Sequence, residues 1–163
     1  MTEIDATNAF LRQADARCAL HGHRLTPLRR HILALLLDRG GRATAYQLLD
    51  DMQAAGANGV GARAPITIYR ALHFLMEQGL VRRVATTSTF MACGDIDGQH
   101  EVFMVCKRCG LVSVVHDEAL QRTQEDAART AHFVVDGQET EIKGLCESCS
   151  GPGSNFRSTL VMQ

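Results

Sequence analysis

No stretch of the 163 residues is apolar for long enough to span a bilayer, and Met1 to Asp15 has neither the basic region nor the apolar core of a secretory segment. The expectation is a soluble protein of a reducing cytoplasm, where thiols remain thiols. Lysine is missing from residues 1–84, which carry eleven Arg against seven acids (+4), whereas residues 85–163 carry six basic and eleven acidic groups (−5). The formal charge of −1 therefore conceals a dipolar chain. An Arg-only basic half has the footprint of a polyanion-binding surface. Also lacking are a glycine-rich phosphate cradle, an acid–base constellation, and any internal repeat beyond one cysteine pair that occurs twice. These absences count against an enzyme.

The repeated pair is Cys106/Cys109 and Cys146/Cys149, two Cys-x-x-Cys knuckles with 36 residues between them. A tight turn aims two thiolates at one point, and two such turns supply the four ligands of a closed tetrahedral zinc site, with bonds of about 2.3 Å. Two disulfides, or a redox pair with a twin, are the other readings. The reducing compartment opposes the first, and the lack of a strand-to-helix redox context opposes the second.

Apolar spacing predicts a helix over Ala6 to Leu20, then one opened by Thr26-Pro27 and closed by Gly40-Gly41. Thr44 opens a third, and Pro65 a fourth that runs to Gln78, with a flexible Gly/Ala-rich connection from Ala55 to Ala64 between them. Leu80 to Val84 and Thr89 to Cys93 read as a two-stranded wing. Helices on short turns followed by a hairpin make a winged helix, whose last helix before the wing enters a major groove. A polar hinge follows, and then a small α+β unit: strands over Glu101 to Val105 and Leu111 to Val115, a helix capped by Asp117, and a further strand within Phe133 to Lys143. The expected organisation is 1–93 winged-helix domain, 94–100 hinge, 101–150 zinc-stapled dimerisation domain and 151–163 tail. A unit of about 50 residues needs a metal or a partner subunit to be stable. Cys18, on the apolar face of the first helix, reads as an inert core thiol, and Arg29 and Arg30 as solvated helix charge.

Pro65-Ile66-Thr67-Ile68-Tyr69-Arg70-Ala71-Leu72 resembles the recognition helix of the ferric uptake regulator superfamily. Arg24-Leu25-Thr26-Pro27-Leu28-Arg29 is similar to that family's N-terminal junction, and the knuckles are similar to its structural zinc site. Thr44-Ala45-Tyr46-Gln47-Leu48-Leu49-Asp50 and the segment Arg70 to Gly79 resemble its zinc uptake regulator branch. The likeness runs from about Ala14 to Cys149. It implies a homodimeric repressor that binds an AT-rich palindrome when zinc is replete, with Cys106, Cys109, Cys146 and Cys149 on a structural zinc. Tyr69 and Arg70 are then placed to meet a thymine methyl or phosphate and a guanine edge. Tyr46 and Thr67 are expected at backbone or base edges, and Arg24 in a minor groove or on phosphate.

A sensor also needs a second, weaker site, because four thiolates hold zinc too tightly to follow supply. The candidates are Cys93 at the end of the wing, His100, Glu101 and His116. Antiparallel pairing about the first knuckle places Glu101 opposite Val114, with His116 diagonal on the same face. A thiolate in the set argues against iron or manganese. Two positions depart from the branch. Arg82 stands where it places a His or Asp on the wing, which makes His73 a possible substitute ligand, and Val114 stands where it offers an acid after the second knuckle cysteine. The rival readings are an iron, manganese or peroxide sensor of the same fold; a hydrolase or thiol redox enzyme with Cys93 as nucleophile and His100 as base; and a structural module that would leave Tyr69 and Arg70 without a role.

Overall fold

The computed structural model describes residues 3–54, 64–93, 101–135 and 140–151. The predicted connection at 55–63, the hinge at 94–100 with its ligand candidate His100, and the tail from 152 onward lie outside the described residues. The chain divides into two compact units, Met1–Gly98 and Gln99–Gln163.

In the first unit, α1 (Glu3–Leu20) and α2 (Pro27–Asp38) come first. Thr26 caps α2, accepting a hydrogen bond from the Arg29 N–H at 3.5 Å, and Pro27 occupies the first turn, where its missing N–H costs nothing. β1 (Arg42–Thr44), α3 (Ala45–Ala54) and α4 (Pro65–Glu77) follow, then β2 (Val81–Val84) and β3 (Thr89–Ala92). Ile32, Leu33 and Leu36 of α2 are fully buried against Leu48 and Met52 of α3, Ile68, Leu72 and Leu75 of α4, and Ala14 and Cys18 of α1. Helix spacing explains this. Each helix turns one apolar stripe inward.

Two local features differ from the sequence reading. The sheet has three strands in the order β1-β3-β2, with Ala43 opposite Phe90. Arg42-Ala43-Thr44 carries too short an alternation to announce a strand, and β3 supplies its hydrogen bonds. Thr44 therefore ends a strand as well as opening α3. Its N–H donates to Gln47 Oε1 at 2.8 Å while Gln47 N–H donates to its hydroxyl at 3.2 Å, a reciprocal capping box. Helix α4 stops at Gly79, whose φ of +68° is left-handed, and Leu80 N–H returns to the Leu75 carbonyl at 2.9 Å.

The second unit is built on β4 (Glu101–Cys106), β5 (Val112–His116), α5 (Glu118–Thr130), β6 (Thr140–Gly144) and the short α6 (Glu147–Ser150). Strand β4 lies between its neighbours, antiparallel to β5 and parallel to β6. Asp117 caps α5 as expected, accepting from the N–H groups of Ala119 and Leu120. The register departs from the sequence reading by two residues. Glu101 pairs directly with His116, and Val114 with Phe103. The knuckle turn is the reason: Cys106 N–H donates to Leu111 O at 2.8 Å, so the ladder resumes later on β5 than a tighter turn would allow. A shift of two keeps side-chain parity, so Glu101 and His116 still share a face.

Burial in this unit is concentrated on one strand. Its buried described residues, Glu101, Val102, Phe103, Val105 and Cys106, all belong to β4. Helix α5 buries none, and Val115, Phe133, Val134 and Ile142 are exposed. The first unit has a self-sufficient core and the second does not. Leu36→Ala is expected to lower the stability of the winged-helix unit by about 2–5 kcal/mol, measured by denaturant unfolding, because the site is closed on every side.

Candidate metal centre and nucleic-acid interface

Parallel pairing brings the two knuckles together. Because β6 runs beside β4 with Gly144 opposite Cys106, both strands deliver their following turns to the same end of the sheet. The first turn closes when Gly110, at φ +72°, donates its N–H to Cys106 O at 3.0 Å. In the second, Cys146 precedes α6 and its carbonyl accepts from Cys149 and Ser150 at 3.0 and 2.9 Å. Two bonds cross between the turns: Lys107 N–H to Gly144 O at 2.9 Å, and Arg108 Nη1 to Cys149 O at 2.5 Å.

The four sulfurs of Cys106, Cys109, Cys146 and Cys149 lie within 4.8 Å of one another, with Cys109 Sγ and Cys146 Sγ 3.6 Å apart. All four are free thiols rather than disulfides. A tetrahedron with Zn–S bonds of about 2.3 Å has edges of about 3.8 Å, so the cradle fits a tetrathiolate zinc without rearrangement. Backbone N–H groups of Cys109 and Cys146 point at Cys106 and pull its thiol down to about 6. Cys149, crowded by the sulfurs of Cys146 and Cys109, is pushed up to about 12. Protons alone leave the cluster with unequal thiols. A divalent cation supplies the positive charge that lets all four ionise.

The other candidates divide between the units. Cys93 follows β3 in the first unit; it is 2% exposed and its N–H donates to Leu80 O at 3.1 Å. In the second unit Glu101 is 8% exposed and directly across the ladder from His116, which is exposed. His73 lies exposed on α4 with its Nδ1 3.1 Å from the Glu77 carboxylate, and Arg82 pairs across β3 with Met91. Burial pushes the Cys18 thiol up, in keeping with an inert core residue.

The presumptive reading face belongs to the first unit. Tyr46 is 66% exposed at the start of α3, and Tyr69 is 45% exposed on α4 with its ring edge against Phe90 of the wing, centroids 6.4 Å apart. Arg24 and Arg70 are exposed, and Thr67 is half-buried with its N–H donating to Ala64 O. Sequence reasoning missed Ile66, which is 57% exposed on the same helix, three residues before Tyr69 and four before Arg70. An apolar residue at the first turn reads as core by pattern, and only its exposure reveals otherwise. Arg29, expected to be solvated, instead lies over the Phe74 ring at 3.5 Å. Arg30 reaches the Leu11 carbonyl at 3.4 Å and also pairs with Asp15.

A winged-helix unit joined to a small α+β unit with a four-thiolate cradle defines a class of metal-binding winged-helix proteins. Residues 20–143 match the ferric uptake regulator family, and the chain belongs to that family. It is 34% identical over 149 residues to the zinc uptake regulation protein of Escherichia coli (strain K12), covering 90% of this chain and 85% of the relative. A solved structure of a zinc uptake regulator complexed with zinc and DNA superposes with a TM-score of 0.75 at 34% identity, covering 88% of this chain and 95% of that one. The peroxide-responsive repressor PerR of Staphylococcus epidermidis is 24% identical over 155 residues, covering 93% of this chain and 98% of its own. The resemblance carried by the Tyr69-Arg70 helix and the two knuckles is thus the family's, and its zinc uptake regulator branch is the nearer of these two.

The cradle makes a spectroscopic prediction. Metal-depleted protein titrated with Co2+ is expected to develop the intense thiolate-to-metal absorption of a tetrahedral sulfur site, and Cys149→Ser to weaken binding while diminishing that band.

Proposed function

We propose that this chain is a cytoplasmic, zinc-responsive transcriptional regulator that represses zinc uptake and homeostasis genes when zinc is replete, binding an AT-rich palindrome as a homodimer. The observation that carries this reading is the pairing, in one chain, of a tetrathiolate cradle with a winged helix whose fourth helix exposes Ile66, Tyr69 and Arg70. The likeness to zinc uptake regulators over most of the chain supports the metal and the ligand class. Among the described residues no helix is long and apolar enough to cross a membrane. The apolar side chains that the second unit leaves exposed support a second copy of the chain as the partner that covers them.

Two metal sites divide the work. Cys106, Cys109, Cys146 and Cys149 hold a structural zinc that staples a unit whose core is a single strand. Cys93, His100, Glu101 and His116 form the regulatory site, a mixed S/N/O set suited to exchangeable zinc. A metal with ligands from both units favours the states in which all four reach it. DNA affinity rises with zinc only if those states also bind DNA better, and linkage then requires DNA to raise zinc affinity by the same factor. Arg70 forks onto a guanine edge, Tyr69 and Ile66 meet thymine methyls or sugar, and Arg24, Tyr46 and Thr67 fix the register on the backbone. No catalytic step is assigned to any residue. An iron, manganese or peroxide sensor is the second reading, and the soft Cys93 thiolate opposes it.

Purified protein is expected to carry two zinc ions per subunit, one removed by mild chelation together with DNA binding. Cys93→Ala should retain the tightly held zinc and lose the zinc dependence of DNA binding; unchanged dependence in a free-zinc titration would remove Cys93 from the site. Arg70→Ala should cost about 1–3 kcal/mol of specific binding at unchanged thermal stability, read by fluorescence anisotropy against matched and scrambled duplexes.

A further inference from the structure

Arg29 is the one side chain that bridges the Arg24 loop and helix α4 through a single planar group. Its guanidinium carbon lies 3.5 Å from the centroid of the Phe74 ring, and its Nη1 donates to the Arg24 carbonyl at 3.2 Å. His23 closes the edge of the same ring, with centroids 5.9 Å apart and planes at 89°. Phe74 is 8% exposed and stands four residues, one helical turn, beyond Arg70. The Arg29 backbone is held too, because its N–H forms the Thr26 cap that starts α2. The stack, the carbonyl bond and the cap all lie within the first unit.

We propose that Arg29 is a positioning residue: by stacking on Phe74 while holding the Arg24 carbonyl, it sets the Arg24 side chain at a defined place relative to the reading face of α4. The inference rests on the DNA-binding reading above and adds a residue which that reading does not use. A guanidinium suits the task because its face can lie on a ring while its donors point outward in its plane. Lysine, a point charge on a flexible stem, cannot do both. With its face on Phe74 and a donor committed to a carbonyl, Arg29 acts on DNA through Arg24 rather than by meeting phosphate itself.

The test uses full-length, zinc-loaded protein and a duplex that the wild-type chain selects from a randomised pool. Arg29→Met, Arg29→Lys and, from the other side of the stack, Phe74→Leu are each expected to weaken binding about tenfold, within the coupling range of residues in contact. The slope of log K against log salt should stay at its wild-type value, since no phosphate contact is lost. In an Arg24→Ala background the cost of Arg29→Met should shrink to less than about twofold, as expected when one residue acts through the other. A slope shallower by about 0.9 in Arg29→Met, restored in Arg29→Lys, would mark a direct phosphate contact and overturn the proposal. So would an affinity loss that follows the loss of melting temperature and persists undiminished in the Arg24→Ala background, the signature of a merely structural role. Failure of the wild-type chain to select any duplex would overturn the DNA-binding reading together with this inference, whereas an additive double mutant with a tightly binding wild type overturns the inference alone.

Discussion

Four sulfurs within 4.8 Å of one another are the constraint on which the second half of the molecule depends. Around them the unit has buried little. Only β4 is covered on both faces, α5 contributes no buried side chain, and the strands beside β4 present Val115 and Ile142 to the outside. A sheet of three strands with one polar helix does not bury enough apolar area to offset the ordering of its backbone. Metal ligation fills this gap, because a site absent from the unfolded chain returns its binding free energy as folding free energy.

The same constraint explains the topology. Cys-x-x-Cys turns on adjacent antiparallel strands would sit at opposite ends of the pair or face apart. The crossover through α5 makes β6 parallel to β4, so that Cys106 and Gly144 come level and the turns beyond them converge. Lys107 and Arg108, in the first knuckle, then bond to the backbone of the second. Their positive charges stand beside a centre that carries net negative charge when four thiolates hold one divalent ion.

The winged helix follows a different economy. Its core closes without help, so its outer face is free to carry residues that a stability argument would not place there: Ile66 and two tyrosines in the open, with Arg24 and Arg70 exposed nearby in sequence. Reading DNA then depends on how well those side chains are held, and the structure holds them by packing from behind. Tyr69 leans on Phe90, and Phe74 carries the Arg29 guanidinium. Affinity for a polyanion comes from charge, but discrimination among sequences comes from such fixed placement.

The sequence by itself determined what depends on local chemistry. Helix boundaries at Thr26-Pro27, Pro65 and Gly79, the cap at Asp117, the wing, and the pairing of the knuckles could all be read because each is written in residues a few positions apart. What the tertiary structure decided rests on long-range partners that no local pattern encodes. Strand β1 exists because β3 offers it hydrogen bonds; Glu101 meets His116 rather than Val114 because the knuckle turn is wider than a hairpin; Ile66 faces outward although its residue type says inward; and Arg29 leaves solvent because a ring forty-five residues away is there to receive it. Periodicity and caps are properties of a segment, whereas register, exposure and stacking are properties of the surfaces that segments find.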